Sequence, residues 1–154
     1  MEEFRAVDPA SPSARWALAE YFAVIGAAFG FEVGSALDDA AAAYSPPRGV
    51  LVLGGPEERP VACGAVQFLD DDTGEVKRMW VAPSARGRGL AKALLTHLEQ
   101  LIRDSGRSRA VLDTNSGLTA AVRLYDSRGY RRVADYNGNA DADVWFAKSL
   151  DVGC

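Results

Sequence analysis

The amino-acid sequence predicts an α/β (α+β) fold, a mixed and mostly antiparallel sheet flanked by helices, and three observations carry that expectation. Apolar, β-branched runs at Gly49 to Gly54, Val61 to Leu69 and Glu75 to Val81 are separated by Gly54-Gly55-Pro56 and by Asp70-Asp71-Asp72-Thr73-Gly74, which are turn-forming residues. They read as an antiparallel meander. Next, Leu90, Leu94, Leu98 and Leu101, with Ala91, Leu95 and Ile102 beside them, form the broad apolar stripe of a helix that has to pack on that sheet. Finally, Arg109 to Asp113 reads as a strand and Leu118, Ala121, Val122 and Tyr125 as a helix stopped at Gly129. The order strand, helix, strand, helix implies one parallel pair.

The remaining elements fit around these. Glu3 to Val7 suits a first strand, and Ser11 or Ser13 can cap a helix whose apolar positions Leu18, Phe22, Ile25 and Phe29 follow helical spacing up to Gly30. Residues 31–48 end in Ser45-Pro46-Pro47, which cannot continue a helix, and are expected to form a short helix and loop. Tyr130 to Tyr136 and Asp143 to Lys148 are expected to close the sheet as two strands around the polar loop Asn137 to Asp141. With 154 residues and no internal repeat, the expectation is one domain over residues 1–154.

Composition narrows the function classes. A formal charge of −4, with Arg86, Arg88 and Lys92 as a short local cluster of cations, argues against a nucleic-acid partner and suits the phosphates of a small ligand. Cys63 and Cys154 are too isolated for a disulfide framework or a Cys-x-x-Cys site, and His97 is the single histidine, so no metal is expected. His97 lies mid-helix among Leu94, Leu98 and Leu101 and reads as a packed or edge-lying side chain. No leader pattern and no run of about 20 apolar residues is present, which implies a cytoplasmic protein with no membrane association.

The chemistry is expected at the junction between the strand ending at Val81 and the leucine-rich helix. A helix start offers N–H groups without intrahelical partners and a partial positive charge, and Gly87 and Gly89 let an anion approach that backbone. Arg86 and Arg88 can add charge-assisted contacts. Two other phosphate loops fail here, because position 92 is Lys where a Gly-x-Gly-x-x-Gly motif needs its third glycine, and no Gly-Lys-Ser/Thr follows.

In its order of elements the chain resembles the GNAT superfamily of acyl-coenzyme A-dependent N-acyltransferases. That family's Arg/Gln-x-x-Gly-x-Gly/Ala motif stands here as Arg86-Gly87-Arg88-Gly89-Leu90-Ala91. The resemblance extends through Glu75 to Val81 before the motif, the leucine-rich helix after it, and Ala121 to Tyr130 downstream, about residues 49–150 in all. One departure is Leu118, where many members carry Asn three residues before Ala121; either Asn115 supplies that polar contact to the coenzyme arm instead, or none is needed.

The resemblance implies a sheet whose fourth and fifth strands splay apart to hold acetyl-coenzyme A, with Met79, Trp80 and Val81 pairing with the pantetheine arm. It implies a ternary complex in which a primary amine, expected to be that of a small molecule, attacks the acetyl group directly. Acetylation of protein lysines or N-termini, and a non-catalytic coenzyme A-binding module, are the alternatives. A free alkylamine has a pKa near 10, so a base is required. Glu75 matches a family glutamate acting through water, against the alternative of a carboxylate that only opens a strand; Asp113 and Asp70 to Asp72 are weaker candidates. Tyr125 matches the tyrosine that protonates the coenzyme sulfur, against the alternative of a core aromatic beside Leu118 and Val122. Phe31, Glu32, Tyr44, Tyr136, Asn137 and Asn139 stand where the fold surrounds its acceptor, and a monomer or homodimer is expected.

Overall fold

A computed structural model describes residues 3–29 and 42–150. Seven strands, β1 (Phe4–Val7), β2 (Gly49–Gly54), β3 (Ala62–Phe68), β4 (Thr73–Val81), β5 (Arg109–Thr114), β6 (Arg131–Val133) and β7 (Val144–Ser149), form one sheet in the order β1-β2-β3-β4-β5-β7-β6. Every neighbouring pair is antiparallel except β4 and β5, so the expected mixed sheet with one parallel pair is present. The described helices are α1 (Pro12–Phe29), α2 (Leu90–Asp104) and α3 (Thr119–Ser127). None of them is long and apolar enough to cross a membrane.

The sheet is covered on both faces, and strand periodicity decides which residue goes where. Along β2, Leu51 joins α1 residues Ala14, Leu18 and Phe22, and Leu53 joins Ala17, whereas Val52 between them joins α2 residues Leu90, Leu94, Leu95, Leu98 and Ile102 on the opposite face. Each of these buried aliphatic side chains contributes about 1.5–3 kcal/mol of transfer free energy. Two glycines set how closely α2 approaches: a Cβ at Gly64 would lie 2.9 Å from Leu98 Cδ1, and one at Gly74 2.7 Å from Ile102 Cγ1. The N-terminus of α1 is capped by Ser11, whose Oγ accepts the Ala14 N–H at 3.3 Å. His97 sits at the edge of α2, its ring 5.4 Å from that of Phe4.

Strand β6 is shorter than expected. The run from Tyr130 to Tyr136 supports a ladder only over Arg131–Val133, because Asp135 Oδ1 accepts the backbone N–H groups of Asn137 at 3.0 Å and Gly138 at 2.6 Å and turns the chain away from the sheet. Most of the expected helix and loop at residues 31–48 lies outside the described residues, as do Phe31 and Glu32.

A buried ion pair ties the second face together. Glu99 of α2, 4% exposed, receives Lys148 Nζ of β7 on both carboxylate oxygens at 3.1 Å and the Tyr130 hydroxyl at 2.9 Å. Removing only the cation leaves an uncompensated buried carboxylate, so Lys148→Met should cost about 3 kcal/mol, the low end of the usual range because part of Lys148 reaches solvent. The double variant Glu99→Leu/Lys148→Met should recover most of that loss. Urea unfolding of the three proteins checks the prediction.

Candidate active site

Strands β4 and β5 pair only from Thr73↔Arg109 to Glu75↔Val111, although β4 continues to Val81 and β5 to Thr114. The reason lies on the other edge of β4. Cys63 pairs with Trp80 but Ala65 pairs with Lys77, so β4 holds one residue more than β3 across this step, and Arg78 takes φ 59° to fit it in. A bulge of this kind bends its strand and increases the local twist. A left-handed backbone at a residue with a Cβ costs about 1–3 kcal/mol and persists where the surroundings enforce it. Here the Cys63 thiol donates to the Arg78 carbonyl at 3.3 Å, and burial pushes that thiol up to about 12, which keeps it a donor.

The parting strands open a cavity of about 550 Å³. Met79, Trp80 and Val81 of β4 form its floor, the stretch from Ala85 to Ala91 one end, Leu118 to Ala121 with Leu124 and Tyr125 one wall, and Tyr21 and Val24 of α1 the roof. Tyr125 is buried with its ring 5.9 Å from Tyr130 and 5.7 Å from Phe146, and its hydroxyl points to Met79 Sδ at 3.8 Å. Burial holds its hydroxyl pKa well above that of a free tyrosine, so it remains protonated through the physiological range.

At the Ala85–Ala91 end the backbone is arranged for an anion. Gly89 caps α2 with φ 74° and no side-chain cap, the first turn holds no acidic residue, and the first helical bond runs from Ala93 N–H to the Gly89 carbonyl at 3.0 Å. The N–H groups of Leu90, Ala91 and Lys92 therefore have no acceptor inside the helix. Gly87, at φ 81°, and Gly89 would each direct a Cβ into open space, with no protein atom within 4 Å. Arg86 Nε donates to the Val81 carbonyl at 3.0 Å and Arg88 Nε to the Ala85 carbonyl at 3.4 Å, fixing the loop from both sides. Unpartnered donors, open space beside two glycines and the Arg86 side chain fit a diphosphate.

A second, smaller and more polar cavity of about 90 Å³ adjoins the first, sharing Tyr21, Met79, Leu118, Ala121 and Tyr125 with it. Its other walls are Val76, Lys77, Arg78, Asp113 and Thr114. Behind Asp113 the loop 134–143 is tied down by its amides. Asn137 Oδ1 accepts the Trp145 indole N–H at 2.9 Å, which fixes the amide so that Nδ2 donates to Glu75 at 3.1 Å and also to Asp113, while Asn139 donates to Asp113 at 3.3 Å. Glu75, 4% exposed, also accepts the Tyr136 hydroxyl and pairs with Lys77 at 3.2 Å.

Of the residues expected at the coenzyme, Met79, Trp80, Val81, Arg86, Gly87, Gly89, Leu90, Ala91 and Tyr125 line the large cavity, and Arg88 and Asn115 do not. The Asn115 amide is engaged in its own loop, accepting Gly117 N–H at 2.9 Å and donating to the Asp141 carbonyl at 3.3 Å. Trp80 reaches the cavity but also packs edge-on against Trp16 at 5.9 Å. Glu75, Tyr136, Asn137 and Asn139 gather behind the small cavity without lining it, and Tyr44 is buried beside Phe22 and Leu51. Tyr21, Val24, Lys77 and Arg78 were not singled out by the sequence. Tyr21 carried one weak signal, a polar tip within the apolar stripe of α1.

The comparisons with known proteins agree with this architecture. Residues 13–130 match the family model of the acetyltransferase (GNAT) family. The chain is 34% identical over 107 residues to an uncharacterised N-acetyltransferase of Schizosaccharomyces pombe, covering 68% of this chain and 66% of that one. It is 30% identical over 121 residues to the uncharacterised N-acetyltransferase YjgM of Escherichia coli, covering 74% and 72%. Among solved structures, the PaiA N-acetyltransferase of Thermoplasma acidophilum in complex with coenzyme A superposes with a TM-score of 0.75 at 14% identity, over 97% of this chain and 99% of that one. A family model matched over most of the chain, with the fold around it, makes this protein a member of the GNAT acetyltransferase family and an N-acetyltransferase.

Proposed function

We propose that the protein transfers an acetyl group from acetyl-coenzyme A to the primary amine of a small molecule, by direct attack while both are bound. One observation carries this reading: the large cavity is lined both by the α2 start, with its unpartnered N–H groups, and by Tyr125, and Tyr125 also lines the small polar cavity that contains Asp113. Donor and acceptor would thus meet at one hydroxyl.

Acetyl-coenzyme A supplies a thioester whose acyl carbon is the electrophile. Leu90, Ala91 and Lys92 N–H groups with Arg86 hold its diphosphate, and β4 from Met79 to Val81, released from β5, faces the pantetheine arm. Asp113 takes the proton that the incoming ammonium must lose and passes it to water, and Glu75 keeps the Asn137 amide turned toward it. As the amine nitrogen forms the C–N bond and the C–S bond breaks, Tyr125 gives its proton to the departing sulfur. The second proton shed by the nitrogen restores the hydroxyl, so the protein ends unchanged.

Gly89→Glu should abolish coenzyme binding, because a carboxylate would occupy the diphosphate position, whereas Gly89→Ala should weaken it by about tenfold through backbone strain alone. Calorimetry with acetyl-coenzyme A distinguishes the two, and normal binding by the glutamate variant would move the cradle elsewhere.

Tyr125→Phe keeps the ring packed on Tyr130 and Phe146 and deletes only the hydroxyl. Turnover should fall by about 10²–10⁴-fold with coenzyme affinity nearly unchanged. A free thiol titrates near 8.5, so the thiolate leaves unaided at high pH and the defect should shrink as pH rises. Thiol-release rates from pH 6 to 9.5 test this; a constant small defect would return Tyr125 to the core.

Asp113→Asn should lower kcat/KM about 10²-fold or more, and Glu75→Gln less, because only Asp113 faces the small cavity. Equal losses in the two variants would assign the proton to Glu75.

A further inference from the structure

We infer that the acceptor is an amino acid, its α-carboxylate anchored by Arg78 and its ammonium by Asp113. This rests on the acetyl-transfer reading above and adds the chemical class of the acceptor.

The charges around the small cavity do not cancel one another. Lys77 is neutralised by Glu75 at 3.2 Å. Arg78 and Asp113 remain, and among the described residues neither has an oppositely charged group within ion-pair distance. Asp113 receives only the neutral amides of Asn137 and Asn139. The Arg78 guanidinium lies over the ring of Phe22 at 4.9 Å, that of Tyr21 at 5.7 Å and that of Tyr44 at 6.0 Å, and its Nε is buried without a hydrogen-bond partner. Aromatic faces stabilise a cation in part, but a buried donor left without an acceptor is uncommon in folded proteins. Burial works against its charge, and the adjacent Tyr44 and Tyr21 hydroxyls work for it.

Among the described residues the cavity therefore presents one uncompensated cation and one uncompensated anion, with Tyr21 beside the guanidinium and Tyr125 shared with the large cavity. A monoamine would answer the anion and leave Arg78 unmatched; a dicarboxylic acid without an amine would do the reverse. A zwitterion matches both. Arginine is suited to the task because its planar fork accepts a carboxylate through two parallel bonds.

The test is a panel of common L-amino acids, each with its methyl ester and its decarboxylated amine, in thiol-release assays with acetyl-coenzyme A. For the preferred acid, kcat/KM should exceed that of the ester and of the amine by about 10²–10³-fold, the loss typical of an unpaired buried charge. In Arg78→Met, which removes the cation, that ratio should fall to near one. Because Arg78 is packed under α1 and its replacement could disturb folding, Tyr21→Phe and the wild-type ratio provide separate readings. Thermal unfolding with coenzyme A and each panel member reads the site without turnover: acids should raise the melting temperature and their decarboxylated amines should not. Amines that are acetylated, or that stabilise the protein, as well as the matching acids overturn this inference and leave the acetyltransferase reading intact. Absence of thiol release from every panel member, with acids still stabilising the protein, removes the acetyl-transfer reading and retains the carboxylate site.

Discussion

The extra residue in β4 is the feature on which the rest of the site depends. A strand that kept its register past Cys63 would continue to pair with β5, and the sheet would close over the space now lined by Met79, Trp80 and Val81. Accommodating Arg78 in a left-handed conformation does two things together. It bends β4 away from β5, and it directs a guanidinium toward the aromatic rings of α1. Donor chamber and acceptor charge thus arise from a single backbone irregularity. This is why α1, which covers that face with Leu18 and Phe22, also contributes Tyr21 and Val24 to the cavity.

The periodic parts of this arrangement were legible in the sequence. The apolar, β-branched runs of β2 and β3, the stripe of α2 and the glycine stop at Gly129 each follow from local sequence, and the structure has β2, β3, α2 and α3 within a few residues of the expected limits. The glycine loop was equally legible, because two glycines at a strand-to-helix junction match positive φ and open space at Cβ. The short β6 was not, since the Asx turn at Asp135 competes with the ladder only once Tyr136 and Asn137 find Glu75 across the sheet.

The bulge left no sequence mark. Left-handed conformations are usually announced by Gly or Asn, and Arg78 sits in a run, Glu75 to Val81, that reads as ordinary strand. Its conformation is enforced by tertiary contacts: the thiol of Cys63 on its carbonyl and three rings around its guanidinium. The same holds for Asp113, whose position at the small cavity depends on the parting of β4 and β5 and on an Asn137 amide fixed by Trp145.

These differences follow from how the two halves of the site are made. The donor half is built from backbone: N–H groups at a helix start, glycines that clear space beside them, and a strand edge released from its partner. Such features come from residues adjacent in the chain, and they suit what every donor of the proposed kind shares, a diphosphate and an amide-bearing arm. The acceptor half is built from side chains brought together from α1, β4, β5 and the loop before β7, with up to 62 positions separating hydrogen-bonded partners such as Glu75 and Asn137. Local spacing cannot encode a contact of that range. On the proposed reading, selectivity for the amine would reside in Arg78, Asp113 and their neighbours, and the glycine loop would carry none of it.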